Sequence, residues 1–286
     1  MPNSPHLIKP NSKVKLAQLS TRTHAGVASE TAAKTVLASH AAELDKLQEV
    51  FYASQSKALL IVLQGMDTAG KDGTIRHIFS GVNPQGCDVA AFKVPTPLEA
   101  RHEFLWRCQA QTPPRGMIGI FNRSHYEDVL WPRVHGVISK KEAHQRMDDI
   151  DAWEQTLADN NVLILKFFLH ISHEEQTRRL QSRIDDPDKH WKLASGDFAE
   201  RVYWPAYMDA YQDILRRTSH KHAPWYVIPS DHKWYRNLAI SKVILDTLKS
   251  LDLKYPKPTF DPTGVNLSNE SPRAAAKKVQ DRTKGS

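Results

Sequence analysis

The sequence predicts an α/β fold: a parallel sheet with helices on both of its faces. Three observations carry this expectation. Short apolar runs alternate with stretches of helical periodicity, as strands buried on both sides alternate with crossover helices. A glycine-containing loop follows the first apolar run at once. Polar and charged clusters follow two later runs in the same way, at the carboxyl ends of strands where open parallel sheets bind ligands.

Residues 1–30 are rich in Ser, Thr, Asn and Pro with scattered Lys, which reads as a flexible arm. Ala32 to Ser54 predicts a packing helix, because Leu37, Ala41, Leu44, Leu47 and Phe51 recur at three- and four-residue intervals and so share one face. Ala58 to Leu63 is a short apolar run suited to a strand covered on both faces. Met117 to Phe121, Asn161 to Leu169 and Trp225 to Ile228 predict three more strands. His173 to Pro187 predicts a helix closed by its proline, with Arg179 and Arg183 on one face and Leu180 and Ile184 on the adjacent packing face. Beyond Tyr255 the pattern fades, and 263–286 reads as a flexible basic tail. Between arm and tail the expectation is one domain, 31–262, with a lid over about 178–205 and no internal repeat.

Composition narrows the class of protein. No apolar run approaches the ~20 residues needed to cross a bilayer, and the first segment has no signal-peptide core, so a cytoplasmic protein is expected. Cys87 and Cys108 fit no CxxC spacing, which predicts two reduced thiols rather than a disulfide framework or a zinc site. Lys and Arg outnumber Asp and Glu by 39 to 32, a surplus that favours an anionic partner without naming it.

The first motif names the chemistry. Gly65-Met-Asp-Thr-Ala-Gly70-Lys71 fulfils G-x-x-x-x-G-K in the strand–loop–helix setting that the motif requires. Gly65 and Gly70 permit a tight loop whose backbone N–H groups turn inward, and the helix that follows adds its positive dipole end. Lys71 then contacts the phosphate being transferred. The Ser or Thr that usually follows the lysine to ligate magnesium is replaced by Asp72, with Gly73 and Thr74 next. Asp67 inside the loop is an odd choice beside an anion unless a metal ion or lysine neutralises it, and it reads as a magnesium ligand.

Asn122-Arg-Ser-His-Tyr-Glu-Asp128 follows the second strand in the place of a Walker-B-like group. Arg123 suits phosphate through its planar fork; Glu127 and Asp128 are candidates to hold magnesium or orient the nucleotide, with a helix cap or surface ion pair the plainer role for Asp128. His125 is expected to pack or hydrogen-bond, because a nucleotide phosphate needs no proton removed. Arg183, with Lys189, Lys192 and Arg201 beyond it, suits a lid that closes over phosphate and excludes water; for Arg178 the plainer reading is a local ion pair with Glu174 or Glu175. Trp191, Trp204, Tyr207 and Tyr211 are read as core aromatics rather than base-stacking groups.

Three separated segments together resemble family 2 polyphosphate kinases: Gly65 to Gly73, Asn122 to Asp128, and Asp186-Pro-Asp-Lys-His-Trp-Lys192. The resemblance covers about Leu47 to Tyr255. It implies a P-loop kinase three-layer sandwich with a parallel sheet and helical lid, magnesium dependence, and transfer of a terminal phosphoryl group between inorganic polyphosphate and adenine nucleotides. Such enzymes are often homo-oligomers; neither nucleic acid nor membrane is expected as a partner. By position, Asp67, Lys71, Gly65 and Gly70 match the phosphate loop, Arg123 the arginine after the second strand, and Arg183 a lid arginine. Many relatives have Asp at the place of Asn122 and Asn-Arg at the place of Glu127-Asp128, and the form found here resembles the single-domain class acting on both AMP and ADP. Catalysis is thus expected from Asp67, Lys71, Arg123 and Arg183, and phosphate or nucleotide binding from Gly65, Gly70, Asp72, Gly73, Asn122, Glu127 and Lys192, with Asp67 on the metal. The alternative enzyme is an ATP-dependent nucleoside monophosphate kinase, whose loop and Arg-rich lid would look similar; the non-enzymatic alternative is a basic P-loop protein that binds nucleic acid or a partner.

Overall fold

Strand β1 (Ala58–Gln64) is buried along its whole length, as its unbroken apolar run requires. In the computed structural model, which describes residues 4–24, 26–259, 263, 265, 267 and 271–283, it is the centre of a five-stranded parallel sheet. The other strands are β2 (Cys87–Ala91), β3 (Ile118–Asn122), β4 (Val162–His170) and β5 (Trp225–Pro229), in the spatial order β2-β3-β1-β4-β5. The chain therefore passes from β1 to the far edge at β2, returns through β3 beside β1, then crosses to the other side through β4 and β5. This reversal creates a crevice beyond the carboxyl end of β1, where doubly wound sheets bind ligands. Register sets which residues border it: Leu63 of β1 pairs with Asn122 of β3, and Gln64 with Phe168 of β4.

The helices are α1 (Glu30–Ser54), α2 (Lys71–Ile78), α3 (Trp106–Gln109), α4 (Glu127–Val134), α5 (Lys140–Asp159), α6 (His173–Ile184), α7 (Ser195–Ala199), α8 (Trp204–Arg217), α9 (Lys233–Lys249) and α10 (Pro272–Thr283). Helix α1 begins where the Ser29 hydroxyl accepts from the Ala32 amide, and it buries Ala33, Leu37, Leu44, Gln48 and Phe51, which includes three of the five positions read from its periodicity. Helix α6 is capped in the same way by Ser172 and stops before Pro187. Irregular chain follows it: a 3₁₀ turn over Pro187–Lys192, α7, and a second turn over Glu200–Tyr203 lead into α8.

Two expectations need correction. Residues 1–30 are not a loose arm where they are described, because Ile8, Val14 and Leu16 are buried in the main core. Ile8 N–H donates to Trp225 O and Val227 N–H to His6 O, so this segment runs antiparallel along the outer edge of β5 and covers an edge that would otherwise be open to association. Thr21 and Arg22 then bond the Asp231 carboxylate beyond β5. The basic tail expected over 263–286 contains a helix, α10, and falls in the second of two compact units, Met1–Leu253 and Lys254–Ser286. Residues 1–3, 25, 260–262, 264, 266, 268–270 and 284–286 lie outside the described residues, so the arm and tail expectations are not judged there. Strand β2 is an addition that periodicity did not reveal.

No helix among the described residues is long and apolar enough to cross a membrane. Cys87 and Cys108 are both free thiols.

Candidate active site

The loop Gly65–Gly70 leaves the carboxyl end of β1 and enters α2 at Lys71. Its shape demands glycine at both ends. Gly65 has φ +152°, and a β-carbon there would lie 2.9 Å from the Leu169 carbonyl oxygen. Gly70 has φ +107°, and a β-carbon there would lie 1.8 Å from Nη1 of Arg236. Thr68, between them, also takes a positive φ of 65°, a conformation that costs a non-glycine residue free energy and persists only where the surroundings enforce it.

Lys71 folds back over this loop. Its ammonium donates to Gly65 O at 2.6 Å and Met66 O at 3.3 Å, which leaves one of its three N–H donors for a ligand. Burial, then the nearby Arg123 charge, pulls its pKa down to about 8, against the opposing carboxylates of Asp67, Glu127 and Asp72. A lysine so placed is still mainly charged near neutral pH, and an arriving phosphate would stabilise that charge further.

The second motif closes on the loop from β3. Arg123 takes φ +62°, another enforced conformation, with its amide donating to Leu63 O of β1. Its guanidinium forks between two carboxylates: Nη2 to Asp67 Oδ1 at 2.5 Å and Nη1 to Glu127 Oε2 at 3.2 Å. Burial works against this charge, but Glu127 and Asp67 outweigh it and hold the pKa above the ordinary value. Beside it, Asn122 Nδ2 donates to Asp72 Oδ1 at 2.5 Å, joining the end of β3 to the first turn of α2. Asp67, Lys71, Asp72, Asn122, Arg123 and Glu127 thus meet at one place, with the glycines Gly65 and Gly70 shaping it. Gly73 lies in the first turns of α2, where a β-carbon would make only an ordinary 3.5 Å contact with Arg236, so no close approach requires glycine there.

Arg183 and Lys192 do not join this cluster directly. Arg183 Nη1 donates to Lys192 O at 3.2 Å and lies 3.9 Å from Asp197. The link to the loop is electrostatic: burial, then the field of Asp67, raises the Asp197 pKa, while Arg183 and Arg123 lower it. The Lys192 ammonium sits 5.0 Å from the Trp191 ring centre. Trp191 is 79% exposed, which corrects its assignment to the core; Tyr207 and Tyr211 are buried as expected, and Trp204 packs at the margin.

Two arginines that frame the loop were missed as site residues. Arg179 of α6 is buried and donates to Thr68 O, Ala69 O, Ser230 O and Asp231 O, while Glu175 accepts from its Nε. Arg236 of α9 is buried, donates to Ala69 O at 3.0 Å, and uses Nε and Nη2 on Asn237 Oδ1. Both donate to loop carbonyls and so tie the loop backbone to α6 and α9. For Arg179 the signal was its helical face shared with Arg183; Arg236, one of several polar and charged side chains on α9, carried no signal that set it apart. Arg178 pairs with Glu175 at 2.5 Å, the local role allowed for it. Asp128 pairs with Arg107 at 2.7 Å. His125 is fully buried and bonds Glu154, a packing role.

The oxygen donors suit a hard divalent cation. Arg123 occupies one oxygen of Asp67 and leaves the other, and Glu127 adds a second carboxylate; magnesium commonly takes only one or two from protein. Sheet order, strand-borne loop and converging arginines define a P-loop phosphotransferase of the α/β class. The chain matches the family Polyphosphate kinase 2 (PPK2) over residues 27–256, and it belongs to that family. It is 49% identical over 215 residues, 75% of this chain and 80% of the relative, to the AMP/ADP-polyphosphate phosphotransferase of Meiothermus ruber. It is 44% identical over 259 residues, 86% of this chain and 90% of the relative, to the ADP-polyphosphate phosphotransferase of Rhodopseudomonas palustris. Its fold is similar to the crystal structure of Polyphosphate Kinase 2 from Arthrobacter aurescens, with a TM-score of 0.85, 41% identity, and coverage of 90% of this chain and 95% of that one.

Proposed function

We propose that this enzyme transfers the terminal phosphoryl group of inorganic polyphosphate to ADP and AMP, reversibly and with magnesium. The observation that carries the reading is the Arg123 fork between Asp67 and Glu127, set over the loop that presents Lys71. It brings cations from two strand ends to the place where an anion would sit in the loop. A terminal phosphate oxygen of the nucleotide attacks the terminal phosphorus of the donor; the new P–O bond forms as the anhydride bond breaks, and the shortened polyphosphate leaves with the bonding pair.

Lys71 and the loop amides bind the group in transit, and Arg123 neutralises charge between donor and acceptor. Arg183 contributes from the lid, which moves over the loop to exclude water. Asp72 and Asn122 hold the entry of α2 in place, Glu127 orients the acceptor, and Lys192 binds phosphate further along the chain. Asp67 through its second oxygen, with Glu127, would hold magnesium, which supplies charge neutralisation and alignment of the phosphate oxygens. The dual nucleotide use rests on the match to the Meiothermus ruber relative and its name. The same reading places a homo-oligomer in the cytoplasm, checked by sedimentation and by cell fractionation.

Donor exchange tests the proposal. Purified protein with AMP and magnesium should form ADP and ATP from polyphosphate. Product formation from ATP alone, with none from polyphosphate, would point instead to an ordinary nucleoside monophosphate kinase.

A further inference from the structure

A second group of ligand-type side chains lies where α5 meets the loop before β5. Asp151 and Glu154 are three residues apart on α5 and so share a face. His222 approaches them from the loop between α8 and β5, which enters β5 at its amino end, whereas the phosphate loop leaves β1 at its carboxyl end. One ligand atom from each of Asp151, Glu154 and His222 lies within 4.8 Å of the other two.

His222 approaches Asp151 at ion-pair distance without closing a hydrogen bond. His222 Nε2 is 3.2 Å from Asp151 Oδ1, both atoms are shielded from solvent, and neither makes a hydrogen bond. Two shielded polar atoms left unsatisfied side by side are costly. Their separation nearly equals the ligand-to-ligand edge of a zinc tetrahedron, roughly 3.3 Å for bonds of about 2.0 Å. Glu154 has room for one more partner. Its Oε1 accepts from His125 and Tyr126, but its Oε2 accepts only from Lys166, so one lone pair on Oε2 remains. His220 lies 3.2 Å from the same Asp151 oxygen with its ring parallel to that of His222, although its Nε2 also donates to Arg217 O.

Charge is compatible with a cation. Asp151 and Glu154 together outweigh the Lys166 ammonium by one negative charge, and Lys166 is held by Tyr126 OH and Thr218 O as well as by Glu154. We infer that Asp151, Glu154 and His222 form a binding site for a divalent transition-metal ion of the zinc class, with water in the fourth position. Imidazole and carboxylate together select such an ion over magnesium. The ion would brace α5 against the loop 218–224 through the same carboxylate that anchors His125 and Tyr126 of the Asn122–Asp128 segment. This inference stands independently of the phosphotransfer reading.

The test is a titration of the tag-free, chelator-stripped full chain with Zn2+ against a competing chromophoric chelator, without magnesium or nucleotide, repeated with Co2+ to read its visible absorption. The phosphate-site carboxylates also attract cations, so Asp67→Asn is the control. Wild type and Asp67→Asn should share a zinc site that His222→Ala and Asp151→Asn weaken by roughly tenfold or more. The strong visible band of tetrahedral Co2+ should appear in the first pair only, and zinc should raise the unfolding temperature of the first pair only. Both weakened variants should keep the wild-type rate of nucleotide formation in magnesium, which shows them folded. Equal zinc affinity in all four proteins, or no zinc binding by wild type, would overturn the inference.

Discussion

Replacing Gly70 by alanine drives a β-carbon to within 1.8 Å of Arg236 Nη1, so the guanidinium must withdraw from a buried position. Withdrawal loses the bond to Ala69 O, and a buried hydrogen bond to a charged group contributes about 1.5–3 kcal/mol. The backbone adds a second penalty, since φ +107° at a residue with a β-carbon costs about 1–2 kcal/mol. The two together come to about 2.5–5 kcal/mol, a large share of the roughly 5–15 kcal/mol that holds a domain folded. Gly73→Ala is the internal contrast: its β-carbon meets only an ordinary contact, and helix propensity should stabilise it by about 0.5–1 kcal/mol. Urea unfolding at constant m measures both. A double-mutant cycle isolates the clash: in an Arg236→Ala background, Gly70→Ala should cost only the backbone share, leaving a coupling of about 1.5–3 kcal/mol. If Gly70→Ala is as stable as wild type, or costs the same with and without Arg236, the guanidinium does not hold the loop as described.

Lys71→Ala should fold and lower kcat for nucleotide formation by about 10²–10³-fold, the usual effect of removing one preorganised charge from a transition state; an unchanged kcat would remove Lys71 from the mechanism. With its pKa drawn down to about 8, Lys71 loses its proton as pH rises through that value, so kcat/KM of the wild type should fall above about pH 8, and a flat profile to pH 10 would contradict the assignment. The sign for stability is opposite: the unfolded chain binds more protons between about 8 and the ordinary 10.5, so the cost of burying Lys71 is full below pH 8 and fades as pH rises through that window. Unfolding of Lys71→Met should therefore show its largest gain over wild type below pH 8, shrinking toward 10.5. Asp67→Asn should raise the magnesium concentration for half-maximal rate by roughly tenfold or more, and an unchanged requirement would place the metal elsewhere.

The parts of this fold legible in the sequence are those where burial is complete. β1, β3, β4 and β5 are largely apolar runs, β4 broken by the buried Lys166, because both faces are covered, and the phosphate loop follows from glycines at fixed spacing beside one of them. β2 escapes because it is an edge strand with Asp88, Val89 and Ala91 exposed, so no apolar run announces it. The N-terminal segment misleads for a related reason: few apolar side chains, Leu7, Ile8, Val14 and Leu16, do the anchoring within a polar stretch, and backbone pairing to β5 leaves no trace in composition. In the site, Asp67, Lys71 and Arg123 are legible because charge beside an anion-binding loop is conspicuous. Arg236 is not, since it arrives from a helix 166 residues beyond Gly70 and acts on backbone carbonyls that carry no sequence signature.

The convergence of separate segments on one phosphoryl group is tested most directly by the kcat of ATP formation from ADP and polyphosphate in Arg123→Ala, with folding checked in the same preparation. The guanidinium that bridges Asp67 and Glu127 should be worth about 10²–10³-fold in that rate. A folded Arg123→Ala enzyme with kcat within about threefold of wild type, little more than ~0.6 kcal/mol of barrier, would contradict it.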